Sequence, residues 1–337
     1  MVDTALNDIA KKMVARKKGI LAADESTSTM TKRLDSINVE STEETRRQWR
    51  QLLFQTPDIG DYISGVIMYD ETIRQSDDSG KSFVDLLAGS DVISGIKVDL
   101  STHDLAGAPG EFITEGLDGL RARLAEYYEL GARFAKWRAL LIIGDGKPSD
   151  YAIHTNAHAL ARYSALCQEQ GIVPIVEPEV LMDGTHSIDD CLSATTRALN
   201  AVFAELEKQN VDLEGIVLKP NMVISGSDAP NRASAEEVAR KTIDCFLETV
   251  PASVPGIAFL SGGQGDEESV VNLDAINRIA NEENLPWELT YSYGRGLQAA
   301  PLAAWGGKQE KVPAGQDAFQ QRGKDSSAAR EGVYAQN

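Results

Sequence analysis

Lysines and carboxylates stand at the ends of apolar runs in this chain, and their types and spacing suit imine chemistry. The run ends read Asp24-Glu-Ser26, Lys97-Val-Asp99, Lys136-Trp-Arg138, Glu177-Pro-Glu179, Lys219-Pro-Asn221, Ser261-Gly-Gly263 and Ser292-Tyr-Gly-Arg295. Side chains alternate along a strand, so Glu177 and Glu179 share a face, as do Lys136 and Arg138. Burying an unpartnered charge is costly, so charges converging from many strands argue for a site rather than a core.

An ordinary lysine, with a pKa of ~10.4, is protonated at neutral pH and cannot attack a carbonyl. Burial and a neighbouring cation both destabilise the ammonium. Lys219 leaves the apolar Gly215-Ile-Val-Leu218 and is the candidate nucleophile, with Lys136 the candidate neighbouring cation. A structural ion pair with Glu177 or Glu179 is the alternative, and spacing alone does not choose among the three lysines. Glu177 and Asp24 suit the acid and base steps that imine formation needs.

Two anion sites are expected. Ser261-Gly-Gly-Gln-Gly265 offers unobstructed backbone N–H groups, and Gly294-Arg295 adds a guanidinium. Barrels commonly bind phosphate at this place. Ser26, Thr29, Arg33 and Lys97 form the second candidate set. Metal catalysis is poorly supported. His154 and His158 are spaced i, i+4 but lack an H-E-x-x-H context, and the other histidines are His103 and His186. A surface role is expected for the pair, and no metal or cofactor. Trp49, Trp137, Trp287 and Trp305 are expected to pack.

Strand-like runs occupy 19–23, 64–69, 92–98, 132–138, 172–177, 215–218, 256–260 and 288–293. They begin roughly 30 to 45 residues apart, the length of a strand-plus-helix unit. Helical patterns lie between them at 119–130, 152–170, 188–209, 235–249 and 270–283. Ser149, Ser187 and Ser234 are expected N-caps, and Gly131, Gly171 and Asn210 expected stops. The alternation predicts a closed parallel (β/α)8 TIM barrel over residues 1–308, including an N-terminal helix. An open doubly wound sheet is the rival, weakened because no G-x-G-x-x-G follows the first strand. Residues 309–337 are expected to form a C-terminal arm, helical at 316–322 and mobile from Asp325 to Asn337.

The chain carries 51 acidic against 33 basic residues, a formal net charge of −18. Such a surface repels nucleic acid and anionic lipid, so neither is an expected partner. Cys167, Cys191 and Cys245 are too few and scattered for a disulfide framework. No stretch reaches the ~20 apolar residues of a membrane span. Residues 1–18 carry Asp3 and Asp8 and lack an uninterrupted apolar stretch, unlike a secretory signal. A soluble cytoplasmic protein is expected.

Six segments carry a family resemblance. They are Gly19-Ile-Leu-Ala-Ala-Asp-Glu-Ser-Thr27, Phe134-Ala-Lys-Trp-Arg138, Gly171-Ile-Val-Pro-Ile-Val-Glu-Pro-Glu179, Leu218-Lys-Pro-Asn-Met222, Phe259-Leu-Ser-Gly-Gly-Gln264 and Tyr291-Ser-Tyr-Gly-Arg295. They resemble class I fructose-bisphosphate aldolases, and the similarity runs from about Gly19 to Lys308. The resemblance implies a barrel, usually a homotetramer, that reversibly cleaves fructose 1,6-bisphosphate to dihydroxyacetone phosphate and glyceraldehyde 3-phosphate. By position Lys219 resembles the Schiff-base lysine and Glu177 the acid/base. Asp24, Lys136 and Glu179 resemble the groups that orient and tune this pair. Ser261, Gly262, Gly294 and Arg295 match the ketone-side phosphate site. Ser26, Arg33 and Lys97 match the distal one, while Arg46 and Arg138 sit at positions linked with phosphate binding. The implied imine acts as the electron sink for the carbanion.

Two departures stand out. The distal loop reads Ser26-Thr-Ser-Thr29 where the family usually has Ser-Thr-Gly-Ser, so Thr29 keeps the hydroxyl and Ser28 replaces a glycine. Animal members end in a longer tail with a terminal tyrosine, whereas Tyr334 here is not terminal. The role of Tyr334 and the preference between bisphosphate and monophosphate stay open. Another imine-forming sugar-phosphate lyase, and an inactive sugar-phosphate-binding scaffold, are the rival functions.

Overall fold

The structure, a computed structural model, describes residues 4–334. Its strands are β1 (Gly19–Ala23), β2 (Ile63–Met68), β3 (Ile93–Lys97), β4 (Thr102–Asp104), β5 (Phe112–Thr114), β6 (Phe134–Leu141), β7 (Val173–Val180), β8 (Val217–Leu218), β9 (Gly256–Phe259) and β10 (Glu288–Tyr293). All but β4 and β5 close into a parallel barrel in the order β1-β10-β9-β8-β7-β6-β3-β2. The pairing of β1 with β10, Ile20 opposite Ser292, completes the ring and excludes the open-sheet alternative.

Two-residue alternation divides each strand between an inner and an outer core. Ile20, Ala22, Ile67, Phe134, Val173, Ile175, Val217 and Ala258 form one buried cluster inside the barrel. Leu6, Ala10, Met13 and Val14 join it, so the helix Thr4–Met13 and the turn after it close the N-terminal end. Leu21, Ala135, Trp137, Val176, Ile216, Leu218, Ile257 and Phe259 face outward into the core shared with the surrounding helices.

Phe134 fills the interior because its neighbours are small. A Cβ on Gly95 would lie 2.2 Å from the Phe134 ring, and one on Gly65 would lie 2.9 Å from it. Phe134→Ala is therefore expected to cost about 3–5 kcal/mol, read as a lowered denaturant midpoint. A loss under about 1 kcal/mol would show that the interior collapses around the gap.

The helices start and stop where the sequence places their signals. Ser149, Ser187 and Ser234 each accept a hydrogen bond from the backbone N–H three residues on. Gly131, Gly171 and Asn210 take positive φ values of 102°, 71° and 55°.

Two expectations need correction. The antiparallel hairpin β4–β5 was not expected, because three-residue strands are too short to show a period. The mobile tail from Asp325 is instead helical through Glu331, as the last part of the helix Val312–Glu331. Small residues Ser326, Ser327 and Ala329 bury there, and Arg330 pairs with Glu288 at the start of β10. Polar composition hid a docked face built from small side chains and one ion pair. Residues 335–337 of that expected tail, and 1–3 of the N-terminal helix, lie outside the described residues.

Candidate active site

The inward alternation that builds the core changes character at the C-terminal end of the barrel. Ile20 and Ala22 lead to Asp24, Phe134 to Lys136 and Arg138, Ile175 to Glu177 and Glu179, and Val217 to Lys219. These side chains line a cavity of about 410 Å³ together with Ser26, Thr29, Arg33, Lys97, Ser261, Gly262, Gly294 and Arg295. Of the residues given a catalytic or phosphate-binding role from sequence, Arg46 does not line the cavity, nor do Gly263, Gln264 and Gly265 of the anion loop. The Arg46 guanidinium instead binds both oxygens of Glu71, at 2.8 and 2.6 Å.

Glu177 sits between two amines. Its Oε1 is 3.2 Å from Lys219 Nζ, and its Oε2 is 3.2 Å from Lys136 Nζ. Lys136 also donates to Asp24 Oδ2 at 2.9 Å. All four side chains are buried. Of the two carboxylates considered as ion-pair partners of Lys219, Glu177 is the one in contact with it, while Glu179 pairs with Arg138. Lys219 is fixed from behind, since its backbone N–H extends the ladder to the Val176 carbonyl at 2.8 Å.

The two lysines have opposite electrostatics. Burial pushes the Lys219 ammonium below the ordinary lysine range; Glu177 opposes this and the charge of Lys136 reinforces it. Burial also disfavours charge on Lys136, but Asp24 and Glu177 outweigh it and raise its pKa well above the ordinary value. Burial would raise the Asp24 carboxyl, yet Lys136 and Lys219 hold it far below the usual carboxylate range. One amine is therefore prepared to lose its proton and the other to keep it.

The opposite wall offers anion donors. Gly262 faces Glu179, where a Cβ would lie 2.9 Å from Oε1. Gly263 has φ +73°, a left-handed conformation that Gly adopts without strain. The helix Arg295–Trp305 begins at Gly294, on the cavity wall. Among the described residues, Arg295 is the one cationic side chain of the wall without an ion pair. Across the mouth Lys97 is held by Asp99, through its carbonyl at 2.9 Å and Oδ1 at 2.6 Å.

Glu25, Asp99 and Ser292, which belong to the polar run ends but were given no role, also line the cavity, as do Ser101 and Thr102, which lie outside those run ends. Asp99 and Ser292 continue the inward alternation of β3 and β10, which was the available signal. Ser101 and Thr102 come from the unexpected hairpin region, and Glu25 lies beyond the end of β1. Tyr334 does not line the cavity; its hydroxyl bonds Glu267 at 3.0 Å. Both His154 and His158 are largely exposed, and His158 Nδ1 is 3.0 Å from Glu205. No group that could hold a metal ion is found among the described residues.

The closed barrel and, at its mouth, a buried lysine of lowered pKa suit an imine-forming barrel enzyme. A family model described as fructose-bisphosphate aldolase class-I matches residues 5–337. A probable fructose-bisphosphate aldolase class 1 of Xanthomonas campestris pv. campestris is 56% identical over 300 residues, covering 89% of each chain. The cytosolic fructose-bisphosphate aldolase 4 of Arabidopsis thaliana is 54% identical, over 94% of this chain and 80% of its own. Fructose-bisphosphate aldolase of Plasmodium falciparum, solved with TRAP and an inhibitor, superposes with a TM-score of 0.97 at 46% identity. That match covers 99% of this chain and 96% of the other. The chain belongs to the class I fructose-bisphosphate aldolase family. It reversibly cleaves fructose 1,6-bisphosphate to dihydroxyacetone phosphate and glyceraldehyde 3-phosphate through a lysine Schiff base.

Proposed function

We propose that Lys219 is the Schiff-base amine and Glu177 its acid/base partner. The observation that carries this is the buried contact of 3.2 Å between Lys219 Nζ and Glu177 Oε1, with the Lys219 pKa lowered. The neutral amine adds to the C2 ketone, and Glu177 supplies the proton with which the carbinolamine hydroxyl leaves as water. Glu177 then takes the C4 hydroxyl proton, the C3–C4 electron pair moves into the iminium, and glyceraldehyde 3-phosphate departs. Protonation of the enamine at C3 and hydrolysis release dihydroxyacetone phosphate and restore the amine. Lys136 and Asp24 hold the charge around the reacting groups, and Glu179 holds Arg138.

Ser261, Gly262, Gly294 and Arg295 take the ketone-side phosphate in this reading. Ser26, Thr29, Arg33 and Lys97 take the distal one, with Arg138 nearby. Anchoring both phosphates spends remote binding energy on aligning C3–C4. Incubation with fructose 1,6-bisphosphate should yield the two triose phosphates in equal amounts, undiminished by chelator. Other products would point to the related sugar-phosphate lyases, and no turnover to a scaffold.

The electrostatics carry a pH prediction. Only the deprotonated Lys219 attacks, so the cleavage rate rises with pH through its lowered pKa. Lys136→Met removes the cation that depresses Lys219 and leaves two carboxylates that raise it. The rising limb should move to higher pH, with lower activity at neutral pH. A limb that stays in place would remove Lys136 from the tuning.

A cytoplasmic homo-oligomer, tetrameric by family resemblance, is also our reading. The cytoplasmic part is supported by the relative named cytosolic in Arabidopsis thaliana. The division at Lys308 between barrel and C-terminal arm belongs to the same reading. Light scattering at working concentration tests the tetramer.

A further inference from the structure

Glu25 lines the cavity, yet the mechanism above gives it no task. Its carboxylate is 6% exposed and serves two guanidinium groups at once. Arg33 Nη1 and the Gln298 amide, at 2.8 Å, donate to Oε1, while Arg50 Nη2 donates to Oε2 at 2.6 Å. Arg50 and Trp49 also donate to Gln298 Oε1, at 3.3 and 3.2 Å. Gln298 in turn donates to the Ala22 carbonyl at 2.7 Å.

The two arginines differ. Arg50 is 3% exposed and lies outside the cavity wall, whereas Arg33 is 21% exposed and belongs to that wall. Arg33 Nη2 lies 3.9 Å from where a Cβ of Gly294 would stand, so the guanidinium reaches toward the opposite phosphate loop. Without Arg33, Glu25 would still hold Arg50 and Gln298, so its buried charge would not be stranded. Arg33 can therefore exchange partners at small cost.

We propose that Glu25 is a displaceable counter-ion that competes with a substrate phosphate for Arg33, and so sets phosphate affinity at the mouth. This rests on the reading that Arg33 is a phosphate ligand. A phosphate monoester dianion accepts bidentate hydrogen bonds from a guanidinium, so it is a suitable replacement for the carboxylate.

The test is steady-state kcat and KM for fructose 1,6-bisphosphate and fructose 1-phosphate, in wild type, Arg33→Ala, Glu25→Gln and their double variant. Glu25→Gln with Arg50→Met is added because it leaves no unpaired buried guanidinium, in case the single change impairs folding. Freeing Arg33 should lower KM about three- to tenfold, the worth of one exchanged hydrogen bond, with less change in kcat. Arg33→Ala should cancel the gain. A gain confined to the bisphosphate assigns Arg33 to the distal phosphate, and a gain on both substrates to the ketone side; each supports displacement. KM unchanged or raised in both Glu25 variants overturns the proposal. If Arg33→Ala alone leaves both KM values unchanged, the phosphate role of Arg33 fails and the proposal falls with it, by a different result.

Discussion

Lys219→Met lowers kcat for cleavage of fructose 1,6-bisphosphate by on the order of 10⁴-fold or more, the scale on which loss of a covalent nucleophile is felt. Methionine keeps most of the buried side-chain volume but cannot condense with a ketone. Without the iminium, the C3–C4 electron pair has no acceptor, and neighbouring Lys136 does not substitute, because Asp24 and Glu177 hold it protonated. The fold is expected to survive, since Glu177 keeps its contact with Lys136. Equal thermal midpoints with lost turnover would confirm a chemical defect. Activity within about tenfold of wild type would place the nucleophile elsewhere.

Glu177→Gln is expected to cost about 10²–10⁴-fold in kcat, the usual contribution of a positioned acid/base. Its second signature distinguishes chemistry from packing. Glu177 raises the Lys219 pKa against the effect of burial, so removing its charge lowers that pKa further. The rising limb of the pH–rate profile should move to lower pH, opposite to the shift expected for Lys136→Met. A variant whose limb moves upward, or whose kcat is unchanged, would show that this carboxylate does not govern the amine.

Much of this arrangement was legible because one rule served both core and site. Two-residue alternation places Ala22, Phe134, Ile175 and Val217 inside the barrel, and two further residues along each strand it places Asp24, Lys136, Glu177 and Lys219 at the mouth. The helix boundaries were legible through local chemistry, as at Ser187 and Asn210. What escaped depended on partners distant in sequence. β6 and β7 run past Arg138 and Glu177 because they pair with each other as far as Leu141 and Val180. Arg46 is held by Glu71, a partner 25 residues away that no local pattern announces. Glu25 lies just past a strand end, where alternation no longer predicts direction, and its meaning depends on Arg50 and Gln298. The C-terminal helix resembled a tail because Ser326, Ser327 and Ala329 bury little apolar area each, although together they permit close packing.

Borohydride reduction in the presence of dihydroxyacetone phosphate, followed by peptide mapping, tests the assignment of the amine most directly. The account predicts irreversible inactivation, with one reduced triose phosphate on the peptide that contains Lys219. A label on Lys97 or Lys136, or full activity after reduction with no label, would contradict it.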